Sequence, residues 1–235
     1  MKFFSDRKNW ILESVLDPKT GKYRNQYLFK GKRAQRIPIT SRLAQQLAGY
    51  ALIERDLRMV QEWLEKINLL SKDQIDQGKE GWRLTEKPDP DHNLTLGLFV
   101  AALTFYGKCF SECKGRRVKL DRNFVANEFR VTHDLVMRFR QNFAAHSGAD
   151  KFENVQIVLV LNPERKYRDE RPALVRELIQ PEVWVSLDPD EHSFSRLVES
   201  VRASVLRKLD EVNDKIFSGE INPKGLDYWY SKNQY

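Results

Sequence analysis

The sequence predicts a mainly α fold, a bundle of four to five helices with an N-terminal β meander and an inserted β hairpin. Three observations lead there. Apolar residues recur at three and four positions over long stretches, one stretch is apolar on nearly every side, and the pattern turns strand-like near the start of the chain and again from Val155. The 235 residues suffice for one sizeable core and are too few for two full enzyme domains. A hydrophobic share of 41% beside a charged share of 31% excludes a disordered or low-complexity chain.

Residues 1–40 read as a basic β meander. Trp10 to Leu16 forms a first strand, and Asp17-Pro18-Lys19-Thr20-Gly21 turns it, with Pro presetting φ and Gly free to take a positive one. Tyr23 to Phe29 alternates as a second strand, and Lys30-Gly31-Lys32 turns into a third over Ala34 to Ile39. Residues 41–217 form the helical body. Thr40 or Ser41 can cap a helix to about Leu69, because Leu43, Leu47, Tyr50, Ile53, Leu57, Val60, Leu64 and Ile67 draw one apolar stripe. The polar segment from Ser71 to His92 reads as a loop.

Leu94 to Cys113 lacks a polar face, which assigns it to the centre of the bundle, and Gly107 within it marks a close helix approach. A short helix is expected over Asp121 to Phe129. The next starts at a Thr132 cap and turns Leu135, Val136, Phe139 and Phe143 inward. Val155 to Leu161 and strand-like stretches within Ala173 to Leu187 make the inserted hairpin, 155–187, with a possible third strand at Val183 to Leu187. A last helix, capped by Asp188 or Asp190, carries Phe194, Leu197, Val201, Val205, Leu209, Val212 and Ile216. Residues 218–235 form an aromatic tail whose Tyr228, Trp229, Tyr230 and Tyr235 need a surface to rest on.

Several function classes are excluded or disfavoured. The longest strongly apolar stretch, Leu94 to Leu103, is half of the roughly 20 residues a membrane span needs, so no membrane partner is expected. The N-terminal residues lack an apolar signal core, which makes the cytoplasm the expected location. Cys109 and Cys113 suit packed thiols rather than disulfides or zinc ligands, and the four histidines show no ligand spacing. Neither a metal nor another cofactor is expected.

Charge is more informative. Residues 1–40 hold ten Lys/Arg against three acids, which accounts for the whole net charge of +7, while residues 101–148 are locally +5. Two basic zones beside a neutral remainder favour a polyanionic partner, nucleic acid being the commonest, and a merely solvated basic face is the equal alternative.

The segment Met137-Arg138-Phe139-Arg140-Gln141-Asn142-Phe143-Ala144-Ala145-His146-Ser147-Gly148 gathers a fixed cation, amides, a hydroxyl and an imidazole at the end of an amphipathic helix. Arg140 followed by two polar residues and then Ala145-His146-Ser147 resembles the HEPN superfamily, in the form found in its abortive-infection-related branch. The resemblance covers the helical body and leaves both β appendages unexplained. It implies a HEPN-like bundle that acts as a metal-independent endoribonuclease in phage defence or as a toxin. The expected partners are RNA, a second copy of the chain in a homodimer, and an antitoxin or effector protein.

In that chemistry a 2′-hydroxyl attacks the neighbouring phosphodiester. His146 suits proton transfer near neutral pH, and Arg140 suits stabilisation of the phosphorane charge. Gln141, Asn142 and Ser147 would support the pair, Asn142 by orienting the imidazole and Gln141 by touching phosphate. Lys114, Arg116, Arg117, Lys119 and Arg138 would line the approach for RNA, with Tyr27 and Phe29 as stacking platforms. Six residues of regular helix turn about 240°, so Arg140 and His146 of one chain point apart and a two-fold dimer is needed to converge them.

The alternative is a non-catalytic dimeric interaction or nucleic-acid-binding module. In it His146 caps the helix C-terminus, Arg140 pairs with Glu128 or Asp134, and His133 is a core or capping histidine. A third reading places function in the meander, gripping nucleic acid.

Overall fold

The computed structural model describes residues 9–18, 20–75, 90–113, 115–141, 154–163, 172–179 and 192–232. Their elements are β1 (Trp10–Leu16), β2 (Tyr23–Phe29), β3 (Lys32–Arg33), α1 (Arg42–Ile75), α2 (Pro90–Phe110), α3 (Arg130–Phe139), β4 (Asn154–Val160), β5 (Ala173–Ile179), α4 (Phe194–Ile216) and α5 (Gly225–Ser231). The fold is mainly helical, with small antiparallel sheets at both expected places. Two compact units divide it: Met1–Ala51 together with Leu206–Tyr235 form the first, and Leu52–Val205 the second.

In the first unit β1 and β2 pair from Trp10↔Phe29 to Leu16↔Tyr23, matching the expected strands residue for residue. Lys30 and Gly31 turn β2 into β3 with φ of 48° and 76°, the positive values that a two-residue type I′ hairpin requires. Holding Lys30 there costs about 1–2 kcal/mol, which the paired strands must offset. The third strand departs from its expected bounds: Lys32 and Arg33 form it, and none of Ala34 to Ile39 does. Pairing stops at Arg33, Ala34 donates one last bond to Tyr27 O at 2.8 Å, and Pro38 lacks the donor to prolong a ladder.

Ser41 caps α1, its Oγ accepting the Ala44 N–H at 3.1 Å. At the other end of the unit the tail is structured rather than loose. A π-type turn over Phe217–Ile221 and a 3₁₀ turn over Asn222–Lys224 lead into α5, and Trp229 Nε1 donates to Ile221 O at 3.1 Å.

The second unit buries Ile53, Leu57, Val60, Leu64 and Ile67 of α1 with Phe99, Ala102, Leu103, Tyr106 and Cys109 of α2. Phe194, Leu197, Val198, Val201 and Val205 of α4 are buried as well, each large side chain contributing about 1.5–3 kcal/mol. Both long helices take residues from the expected loop over Ser71 to His92, α1 reaching Ile75 and α2 starting at Pro90, while α2 ends at Phe110, short of the expected Cys113. As a result Asp91–Phe110 has the length and apolar composition of a membrane-crossing helix, with a mean hydropathy of 1.3, contrary to the expectation from Leu94 to Leu103 alone. Its Phe99, Ala102, Leu103, Tyr106 and Cys109 are nonetheless core residues of this unit.

Three expectations about helix starts are corrected. The short helix over Asp121 to Phe129 is two 3₁₀ turns, Arg122–Phe124 and Asn127–Phe129, the first capped by Asp121. α3 begins at Arg130, and Thr132 Oγ1 donates to His192 O at 2.7 Å instead of capping. The earlier start goes with an interior face of His133 and Val136, leaving Leu135 39% exposed. α4 begins at Phe194 with Ser193 Oγ accepting the Arg196 N–H at 3.3 Å, so the cap is neither Asp188 nor Asp190. β4 and β5 pair from Asn154↔Ile179 to Val160↔Ala173, as the inserted hairpin requires. Val183 to Leu187 and Phe143 lie outside the described residues.

Candidate functional site

α3 ends at Phe139 and widens into a π-type turn at Arg140 and Gln141. The Arg140 N–H still donates to Val136 O and Met137 O, so the residue remains tied to the helix. Its side chain lies across α2 at Gly107. A Cβ there would stand 2.9 Å from Arg140 Cγ, 3.0 Å from Cδ and 3.1 Å from Nε. The close approach expected at Gly107 is therefore present, and what approaches is the stem of an arginine.

Among the described residues no carboxylate pairs with Arg140. Asp134, one of its two expected partners, accepts from Arg122 Nη2 at 2.7 Å. Gln141 is exposed, whereas Asn142, His146 and Ser147 lie outside the described residues.

The basic residues expected to guide RNA divide into different environments. Arg117 and Arg138 face solvent, and Lys119 is half-exposed and paired with Glu112 at 2.9 Å. Lys114 lies outside the described residues. Arg116 departs from the expected surface position: its side chain is 5% exposed, and its guanidinium is bonded to Asp56.

Asp56, which sequence reasoning missed, is fully buried on α1. It accepts from Arg116, from Arg55 at 3.0 Å and from Lys108 at 3.2 Å. Burial alone pushes its carboxyl up, but the hydrogen bonds from Arg116, Arg55 and Lys108 outweigh that and hold it below the usual carboxylate value. A signal existed: Asp56 sits between Ile53 and Val60 on the same apolar stripe, an expensive place for an unpartnered acid.

His133 is the core histidine of its alternative reading. Its Nδ1 shares a 2.8 Å hydrogen bond with the Tyr106 hydroxyl, and its ring packs against Phe110 with centroids 4.6 Å apart and planes tilted by 57°. Burial lowers its pKa, and nearby Asp134 raises it less than burial lowers it, so the imidazole is neutral at pH 7. Tyr106 is pushed well above its ordinary value by the same burial. This pair braces α2 against α3 on the stretch that presents Gly107 to Arg140. Cys109 is buried too, its thiol pushed up to about 12.

Comparison with family models, with curated proteins and with solved structures gave no match.

Proposed function

We propose that the chain is a HEPN-like, metal-independent endoribonuclease that works as a homodimer, in phage defence or as a toxin, with Arg140 and His146 as its catalytic pair. The observation that supports it best is Arg140: a permanent cation whose stem is seated on Gly107 and which no carboxylate engages among the described residues. A structural arginine is ordinarily paired. One held by its stem, with no carboxylate on its guanidinium among the described residues, suits an anion that arrives from outside.

In the proposed reaction the ribose 2′-oxygen bonds to phosphorus and the bond to the 5′-oxygen breaks. His146 of the dimer accepts the 2′-hydroxyl proton, and a proton is returned to the leaving 5′-oxygen. Arg140 bears the growing negative charge on the non-bridging phosphoryl oxygens. The products are a 2′,3′-cyclic phosphate and a free 5′-hydroxyl, so atoms and charge balance without an outside reactant.

The test incubates the purified protein with RNA in chelator. Cleavage by the parent and its loss in both Arg140→Ala and His146→Ala support the assignment. Cleavage that survives both substitutions removes the assignment, and an inert parent protein leaves the non-catalytic module in its place.

A further inference from the structure

The first unit contains a cleft of about 580 Å³ that falls within the size range of ligand pockets. Trp10 and Phe29 from the sheet form one wall, Trp229 and Tyr230 from α5 another, and Lys32 and Arg33 also line it. We infer that this cleft binds single-stranded nucleic acid, taking a base among the aromatic rings and the adjoining phosphates on the lysine and arginine.

The sheet register builds the first wall. Trp10, Phe29 and Lys32 are successive cross-strand partners, so they stand in one row on one face, with the Trp10 and Phe29 rings 4.9 Å apart. On the second wall the indole of Trp229 is oriented by its bond to Ile221 O. A lysine accompanies one ring of each wall: Lys30 lies 5.5 Å from the Phe29 ring centre, and Lys224 lies 5.2 Å from that of Trp229. Flat π faces with flanking ammonium and guanidinium groups match a base joined to phosphate, whereas an apolar peptide would leave the cations unused.

Charge complementarity points the same way. The first unit holds 16 Lys/Arg against 8 Asp/Glu, a net +8, and the second 24 against 25, a net −1, so the chain's positive excess belongs entirely to the unit with the cleft. The inference rests on the nuclease proposal only in choosing RNA as the natural strand; the stacking chemistry accepts DNA as well.

The test measures fluorescence anisotropy of labelled oligouridylate and oligothymidylate, each about a dozen nucleotides, with the full chain, and inorganic polyphosphate as competitor. Trp229→Ala is expected to weaken binding about tenfold, and Lys32→Glu to weaken it and flatten its salt dependence. Lys32 is exposed, so that variant retains the fold and decides the matter if Trp229→Ala does not. Binding unchanged in Lys32→Glu, displacement by polyphosphate as effective as by the oligonucleotides, or no oligonucleotide binding at all overturns the inference, the last leaving a protein ligand for the cleft. Cleavage is scored separately. Loss of cleavage in Arg140→Ala bears on the nuclease reading alone, and the effect of Lys32→Glu on oligothymidylate, which has no 2′-hydroxyl to react, bears on the cleft alone, so either reading can fail without the other.

Discussion

The Arg140 side chain rests directly on the backbone of Gly107, at a distance that leaves no room for a Cβ. This makes Gly107 a positioning residue for the proposed chemistry, because any side chain there must displace the middle of the arginine rather than its flexible tip.

Gly107→Ala should therefore lower RNA cleavage and cost at most about 2 kcal/mol of stability. A clash costing about 1–3 kcal/mol is set against about 1 kcal/mol gained in helix propensity. In an Arg140→Ala background the clash is absent, and the same substitution should stabilise by about 1 kcal/mol. Thermal unfolding of the four proteins checks this; equal effects of Gly107→Ala in both backgrounds would refute the contact.

Removing the Asp56 carboxylate should be among the costliest changes in the chain. Asp56→Ala strands the buried Arg116 and is expected to destabilise by about 3–5 kcal/mol. Asp56→Ala with Arg116→Met should recover a large part of that in urea unfolding. Failure to recover would mean that the loss comes from packing and not from an orphaned charge.

The lowered pKa of His133 carries a definite sign. Its folded pKa lies below the unfolded value of about 6.5, so the unfolded chain takes up the proton first and stability falls as pH drops through that value toward the folded one. Melting temperatures compared at about pH 7.5 and pH 5.5 should show a drop that shrinks in His133→Gln. An identical drop in the variant would place the acid sensitivity elsewhere.

Cys109 and Cys113 should differ sharply toward thiol reagents. A thiol with a pKa of about 12 is ionised at pH 8 only to the order of 10⁻⁴, and Cys109 is also fully buried. Alkylation of the native protein, mapped by mass spectrometry, should mark the half-buried Cys113 and spare Cys109 until denaturant is added. Equal labelling of both in the native state would contradict the packing of α2.

Periodicity made some elements legible because it records which face each residue shows. The strands Trp10–Leu16 and Tyr23–Phe29 and the seven apolar positions of α4 from Phe194 to Ile216 coincide with the structure, since each repeats a local rule. What local rules do not encode is partnership across the chain. Arg116 carries the same charge as its surface neighbours and differs only in meeting Asp56, 60 positions away. Thr132 has the chemistry of a cap, but the His192 carbonyl, also 60 positions away, takes its hydroxyl. At the candidate site Arg140 stood out by its motif and the closeness of Gly107 to another element was readable, but that the two meet was not, because nothing in the spacing pairs one helix with another.

The walls of the aromatic cleft come from residues 10–37 and 226–230, stretches far apart in the chain. During synthesis the sheet emerges early, yet the opposing rings are absent until α5 has left the ribosome. The proposed stacking of a base between the walls thus waits for residues 226–230, which denies it to nascent fragments that already carry the Arg140 helix.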